Sequence, residues 1–221
     1  MGRVAELGSL GGYVPHCYMK TLACLLGALA TCTGVGHSTP LLDQSQTYWQ
    51  SIVRVGGDIS VAQTFTPSVT GFLTQLDLFA GRQNFGETNA FLISIANTQG
   101  GLPNSVLATV SQTAFIPDVR SWYSYDFSSA HLTLNAGVQY AIVLGCPGSF
   151  NGIGVGGSLD ETYQPGVSLQ RNGTDPWSTY GRAADLMFQT YMTQVPEPSR
   201  FALATATMLA FLFFRHAKKA A

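Results

Sequence analysis

The chain has 221 residues, of which 46% are hydrophobic and 10% charged, and its formal net charge is −1. So apolar a composition excludes a disordered chain, and the length suits one ordinary domain plus terminal targeting segments. Every Lys lies in a terminal segment, while Thr39 to Gln194 holds five Arg against ten acidic residues, a balance of 5 − 10 = −5. That stretch offers no basic patch to a phosphate backbone, so nucleic acid is not expected as a partner.

At the N-terminus the secretory pattern begins at Met19. Met19-Lys20 precedes the apolar run Thr21 to Ala30, and small residues continue to Ser38. This is the order of a signal peptide, expected over 19–38. The run is too short to span a bilayer core of about 30 Å. Residues 1–18 carry Glu6, Pro15 and several Gly ahead of that run and read as an over-extended N-terminus. Gly34-Val35-Gly36 suits cleavage after Gly36, whereas Thr31 is a poor fit before Cys32 for a lipidation site. Cys17, Cys24 and Cys32 fall within or before the leader. Only Cys146 remains in the body, which excludes an intrachain disulfide after processing.

From residue 43 to 192 apolar alternation is broken by turn residues, the pattern of short strands. Strands are expected over Ile59–Thr66, Phe72–Ala80 (Phe72, Leu76, Leu78 and Ala80 on one face), Ala90–Ala96 and Val106–Val110. Gly100 to Asn104 forms a turn. Tyr123, Tyr125 and Phe127 alternate, Gln139–Cys146 follows, and later come Val167–Gln170, a turn at Asn172-Gly173, and Asp185–Tyr191. The glycine-rich run Asn151 to Gly157 has no Lys and no strand-to-helix setting for a phosphate loop, and is expected as a loop at one end. Eight to ten such strands without a helical period predict an all-β, antiparallel, jelly-roll-like β-sandwich. Helix is expected only at the termini, as a signal helix and a C-terminal transmembrane sorting helix. Phe65, Leu76, Leu78, Ile93, Ile95, Tyr140, Ile142, Leu144 and Phe188 should be buried. Cys146 follows the alternation of Tyr140, Ile142 and Leu144 and should be buried too.

Catalytic chemistry finds little material in this body. His131 is its one histidine and sits at a strand entry, where a turn role explains it. With Cys146 it makes only two zinc-type ligands. The carboxylates are scattered without a preferred pair for glycoside cleavage, so a hydrolase or lyase ranks below a non-catalytic module. Asp58, Asp160, Glu161 and Asp185 could supply oxygen to a structural calcium, but no spaced ligand loop is present, and no cofactor is expected. Trp49, Trp122 and Trp177, with Tyr48, Tyr123, Tyr163 and Tyr180, sit near strand ends or in loops. Trp177 with Asp175, Tyr180 and Arg182 would make a surface on which a sugar could stack; the alternative is core or edge packing.

Five blocks of the body resemble the choice-of-anchor type of exported bacterial β-sandwich domain. They are Val61-Ala62-Gln63-Thr64-Phe65-Thr66, Gly71-Phe72-Leu73-Thr74 with Leu76, and Ile93-Ser94-Ile95 before Gly101-Leu102-Pro103. Leu132 to Gly137 with Tyr140, and Asp185-Leu186-Met187-Phe188-Gln189-Thr190-Tyr191, complete the set. The resemblance implies a sandwich fold and a cell-surface setting, and no reaction.

Past the body, Val195-Pro196-Glu197-Pro198-Ser199 is held extended by its two prolines. Arg200, an apolar run from Phe201 to Phe214, and the basic end Arg215, Lys218 and Lys219 follow. As a helix the run covers about 21 Å, short for a permanent span. The basic end favours the cytoplasmic side. This order over 195–219 resembles the PEP-CTERM sorting signal. The resemblance implies recognition by an exosortase-type membrane protease of a Gram-negative bacterium and a transient anchor in the inner membrane. It further implies release to the cell surface or extracellular matrix, often alongside exopolysaccharide.

Overall fold

The computed structural model describes residues 39–82, 91–112, 119–146, 153–160, 162–180 and 185–195. The expected signal and sorting helices lie outside the described residues. Among the described residues no helix is long and apolar enough to cross a membrane.

In chain order the strands are β1 (Leu41–Gln46), β2 (Ser51–Val55), β3 (Ile59–Phe65), β4 (Gly71–Arg82), β5 (Phe91–Gln99), β6 (Leu102–Gln112) and β7 (Ser121–Asp126). Then come β8 (Thr133–Leu134), β9 (Tyr140–Gly145), β10 (Ile153–Ser158), β11 (Ser168–Asn172), β12 (Ser178–Thr179), β13 (Asp185–Leu186) and β14 (Phe188–Gln194). One 3-10 turn, Ser128–Ala130, ends at His131, whose φ of 47° marks it as a turn residue. Among the described residues all pairings are antiparallel, and they make two sheets. The first has eight strands. Its path runs β1-β14-β4-β10-β13, with β2 on β10 and with β7 and β8 on the other edge of β4. The second has six, in the order β12-β11-β3-β9-β5-β6.

The inner faces of these sheets supply the core of a β-sandwich. Leu76, Leu78, Leu134, Val155 and Phe188 from the first meet Phe65, Phe91, Ile93, Ile95, Ile142 and Leu144 from the second, all fully buried. Phe65 and Phe188 touch across the gap at 6.2 Å between ring centroids, as do Phe91 and Tyr125. Each such buried side chain contributes about 1.5–3 kcal/mol of transfer free energy. All nine residues expected in the core are there, and so is Cys146.

Two expectations need correction. Phe72 does not share the face of Leu76, Leu78 and Ala80; it is exposed, and Leu73 is buried instead. The cause is a bulge. Tyr191 pairs with Gln75 but Met192 with Leu73, so Thr74 is an extra residue on β4 and the alternation changes side there. The glycine-rich run is no end loop either. From Ile153 it is β10, buried along its length in the first sheet. Glycine is used there because side chains lie on the bare backbone. A Cβ on Gly156 would stand 2.7 Å from Phe79 Cδ1 and 2.7 Å from Met187 Sδ, and one on Gly154 2.7 Å from Ile52 Cγ2. The Asn172-Gly173 turn is present, with positive φ on Gly173.

A polar contact joins the sheets inside the apolar core. Gln63 alternates inward between Val61 and Phe65 on β3 and is fully buried. Its Oε1 accepts from Leu186 N at 2.6 Å, and its Nε2 donates to Asp185 Oδ1 at 3.3 Å. Asp185 Oδ2 accepts from Tyr163 N at 2.8 Å. The Tyr163 hydroxyl donates to Gln44 Oε1 on β1 at 2.7 Å, and its ring meets Phe188 edge-on at 5.1 Å.

Two measurements follow from this interior. Asp185→Ala leaves the Tyr163 N–H and the Gln63 amide without their carboxylate, and should cost about 3 kcal/mol in urea unfolding, with Asp185→Asn milder. Burial raises the hydroxyl pKa of Tyr125 and of Tyr163 well above the ordinary tyrosine value. Above about pH 10 the unfolded chain loses these protons while the native state keeps them, so stability present at neutral pH falls as pH rises. Urea midpoints should drop between about pH 8 and pH 11, and less steeply in Tyr125→Phe.

Candidate functional site

The residues expected at a sugar-stacking surface occupy the β11–β12 end of the second sheet. Asp175 is exposed in the turn after β11, where its N–H donates to Asn172 O at 3.0 Å. Trp177 and Tyr180 are half-buried. Tyr180 packs against the core cluster rather than standing free. Arg182 lies outside the described residues, as do Pro196, Glu197, Pro198, Arg215, Lys218 and Lys219. Val195 is described and is exposed just past β14.

The cation that meets Trp177 is Arg171, which sequence reasoning did not single out. Its guanidinium carbon sits 4.6 Å above the ring, a contact worth roughly 0.5–1 kcal/mol near the surface. One face of Trp177 is therefore already occupied. Arg171 Nε is buried without a hydrogen-bond partner among the described residues. The same side chain borders a groove of about 380 Å³ on the outer face of the second sheet. Antiparallel register aligns its floor: Arg171 pairs with Ser60, and Gly145 pairs with Leu92. Gly145 keeps the floor low, since a Cβ there would face only Ser60 Oγ at 3.8 Å. Asp58, exposed beside the Gly173 turn, closes one end, and its carbonyl accepts from Gly173 N at 2.7 Å. Groove and ring together can hold a small polar ligand through one guanidinium, one carboxylate and serine hydroxyls.

The other tryptophans sit on the opposite sheet. Trp122 pairs with Phe79 across β7 and β4, their rings 5.7 Å apart, and Trp49 leans on the same Phe79 at 6.0 Å. A sequence signal for this existed. With Leu78 and Ala80 inward, Phe79 must point out, and with Tyr123 and Tyr125 inward, so must Trp122. Their adjacency depends on the pairing of β4 with β7, which alternation does not specify.

Four of the described carboxylates serve the framework. The Ser128 hydroxyl, and then its backbone N–H, which donates to Asp126 Oδ1 at 2.8 Å, hold the Asp126 carboxyl below the ordinary range. Asp160 Oδ2 accepts from Gln50 Nε2 at 3.0 Å, Asp43 Oδ1 accepts from Ser68 N at 2.9 Å, and Asp185 is fixed in the core contact. Asp58, Asp160 and Asp185, weighed as calcium ligands, therefore stand in three separate settings. Glu161 lies outside the described residues. Among the described residues no three His, Cys, Asp or Glu side chains gather at one point.

Cys146 also borders the groove, but 2% of it is exposed and burial raises its thiol pKa. It should therefore resist a thiol reagent in the native protein at about pH 8 and react readily in denaturant. Mass spectrometry of the tryptic peptide after labelling checks this, and rapid native labelling would contradict it. Comparison of the chain with protein-family models gives no match, and comparison with curated proteins gives none.

Proposed function

We propose that the chain is an exported, non-catalytic protein of the cell surface or extracellular matrix, linked to envelope or exopolysaccharide and carried there by its C-terminal tail. The observation that carries this reading is the order of extended Pro-Glu-Pro motif, short apolar run and basic end over residues 195–219. The fold is compatible with it. β14 ends at Gln194, so the motif begins directly where the sandwich stops. Non-catalytic use is supported by Asp43, Asp126, Asp160 and Asp185, whose carboxylates are committed to framework hydrogen bonds. The strand order, with β14 between β1 and β4 and β9 between β3 and β5, suits a sandwich of the jelly-roll kind.

A second reading, carbohydrate recognition, is favoured by tryptophans at the surface of both sheets and by the groove beside Arg171. It is compatible with the first, since a matrix protein can be held by the polymer around it.

Mechanistically, the basic end would hold the C-terminus at the cytoplasmic side while the apolar run arrests export. The prolines would favour an extended backbone over 196–198, suited to a membrane protease at the outer face of the inner membrane. Intact-mass analysis of the protein isolated from its native cell should find the segment from Phe201 onward removed. A mature form retaining Lys218 and Lys219 in a cell with an active exosortase would overturn processing and leave a simple tail anchor.

A further inference from the structure

The outer face of the first sheet carries Trp49 and Trp122 on one common support. Trp49 is 52% exposed and Trp122 37% exposed, and both rest on Phe79. Exposed tryptophan pairs are costly to leave in water and are usually absorbed into a core or an interface. Here they are held in place. Trp49 Nε1 donates to Ser51 O at 3.1 Å, which fixes the indole. Phe79 lies on the bare backbone of Gly156 beside the buried Met187, so the rings have a firm support from below. The rings are tilted by 47° and 65° to one another, so they form a twisted rather than flat strip.

A polar row runs beside the strip. Side chains two residues apart on a strand share a face, which places Asp77 and Gln75 next to Phe79 on β4. Asp77 is only 7% exposed although it points away from the core. Its Oδ1 accepts from Gln75 Nε2 at 2.8 Å, and Tyr191 across on β14 is hydrogen-bonded to it as well. Ser124, opposite Asp77 on β7, lies 3.4 Å from Gln75 Nε2. An aromatic strip with a fixed carboxylate, amide and hydroxyl along one side matches a pyranose. Its C–H face stacks on indole, and its hydroxyls need donors and acceptors at the ring edge.

We infer that the Trp49–Phe79–Trp122 strip with Asp77, Gln75 and Ser124 is a saccharide-binding surface for a neutral polysaccharide. Charge selects the neutral class. Asp77 and Asp126 lie beside one end of the strip, and Arg120, stacked on Gly81, and Arg54, paired with Gly154, lie beside the other, so the surrounding charge is balanced, while residues 39–194 carry a net −5 that repels a polyanion. The inference deepens the carbohydrate reading above by naming a surface and a polymer class, and it rests on that reading for the place where the polymer is met.

The test uses the full-length chain in mild detergent, titrated with cellohexaose, mannohexaose and oligogalacturonate by calorimetry and tryptophan fluorescence. At least one neutral hexaose should bind. Trp49→Ala and Trp122→Ala should each weaken binding by roughly tenfold, and Trp177→Ala by less than about twofold. Trp49 is exposed in a loop, so its replacement leaves the core intact, and far-UV circular dichroism confirms folding of each variant. The inference is overturned by any of three results: neither neutral probe binds, oligogalacturonate binds more tightly than both, or Trp177→Ala abolishes binding while Trp49→Ala keeps it. Tail trimming has its own mass readout, so a processed protein that ignores saccharides removes this surface alone.

Discussion

Gln63 and Asp185 meet inside the sandwich, and the alignment of the two sheets depends on that meeting. Apolar burial brings sheets together without specifying how far one slides over the other. A buried amide and carboxylate with fixed partners do specify it, because any slide would strand polar groups in an apolar interior. Gln63 belongs to β3 of the second sheet and Asp185 to β13 of the first, while Tyr163 extends the contact to Gln44 on β1. The Ala62-Gln63-Thr64-Phe65 and Asp185-Leu186-Met187-Phe188 blocks are thus two halves of one contact. Their phenylalanines, Phe65 and Phe188, touch beside it.

Much of this was legible in the chain. Strict alternation over Ile93–Ile95 and Tyr140–Leu144 revealed the buried face, because one inward face per strand leaves that trace directly. What alternation could not reveal was any feature created by a partner strand. The bulge that exposes Phe72 exists only in the pairing of β4 with β14. The glycines of β10 looked like loop residues because their reason lies in Ile52, Phe79 and Met187, which are remote in sequence. β1 passed unnoticed since its two leucines are exposed, and β2 because its alternation, with Val53 and Val55 buried around Arg54, is only three residues long.

The candidate sites were less legible for the same reason. Trp177 is half-buried near the surface, and the cation described over its ring comes from the preceding strand. Trp49 and Trp122 are seventy-three positions apart and become neighbours only through Phe79. Binding surfaces on sheets are assembled from several strands, so residue type alone names candidates and the strand order decides which of them meet.

The place of β14 has a temporal meaning. It is the last strand among the described residues, yet it lies between β1, the first of them, and β4. The first sheet cannot be completed until residue 194 has emerged, and closing so long a loop is intrinsically slow. In an exported chain the body would cross the membrane as an unfinished sheet, with the edges of β1 and β4 open. Arrest by the apolar tail would then hold β14 outside and near its slot while closure occurs. Since no linker separates Gln194 from the motif, a protease reaching Pro196 would act against a finished wall of the sandwich, and the severed end would already be stitched between two strands.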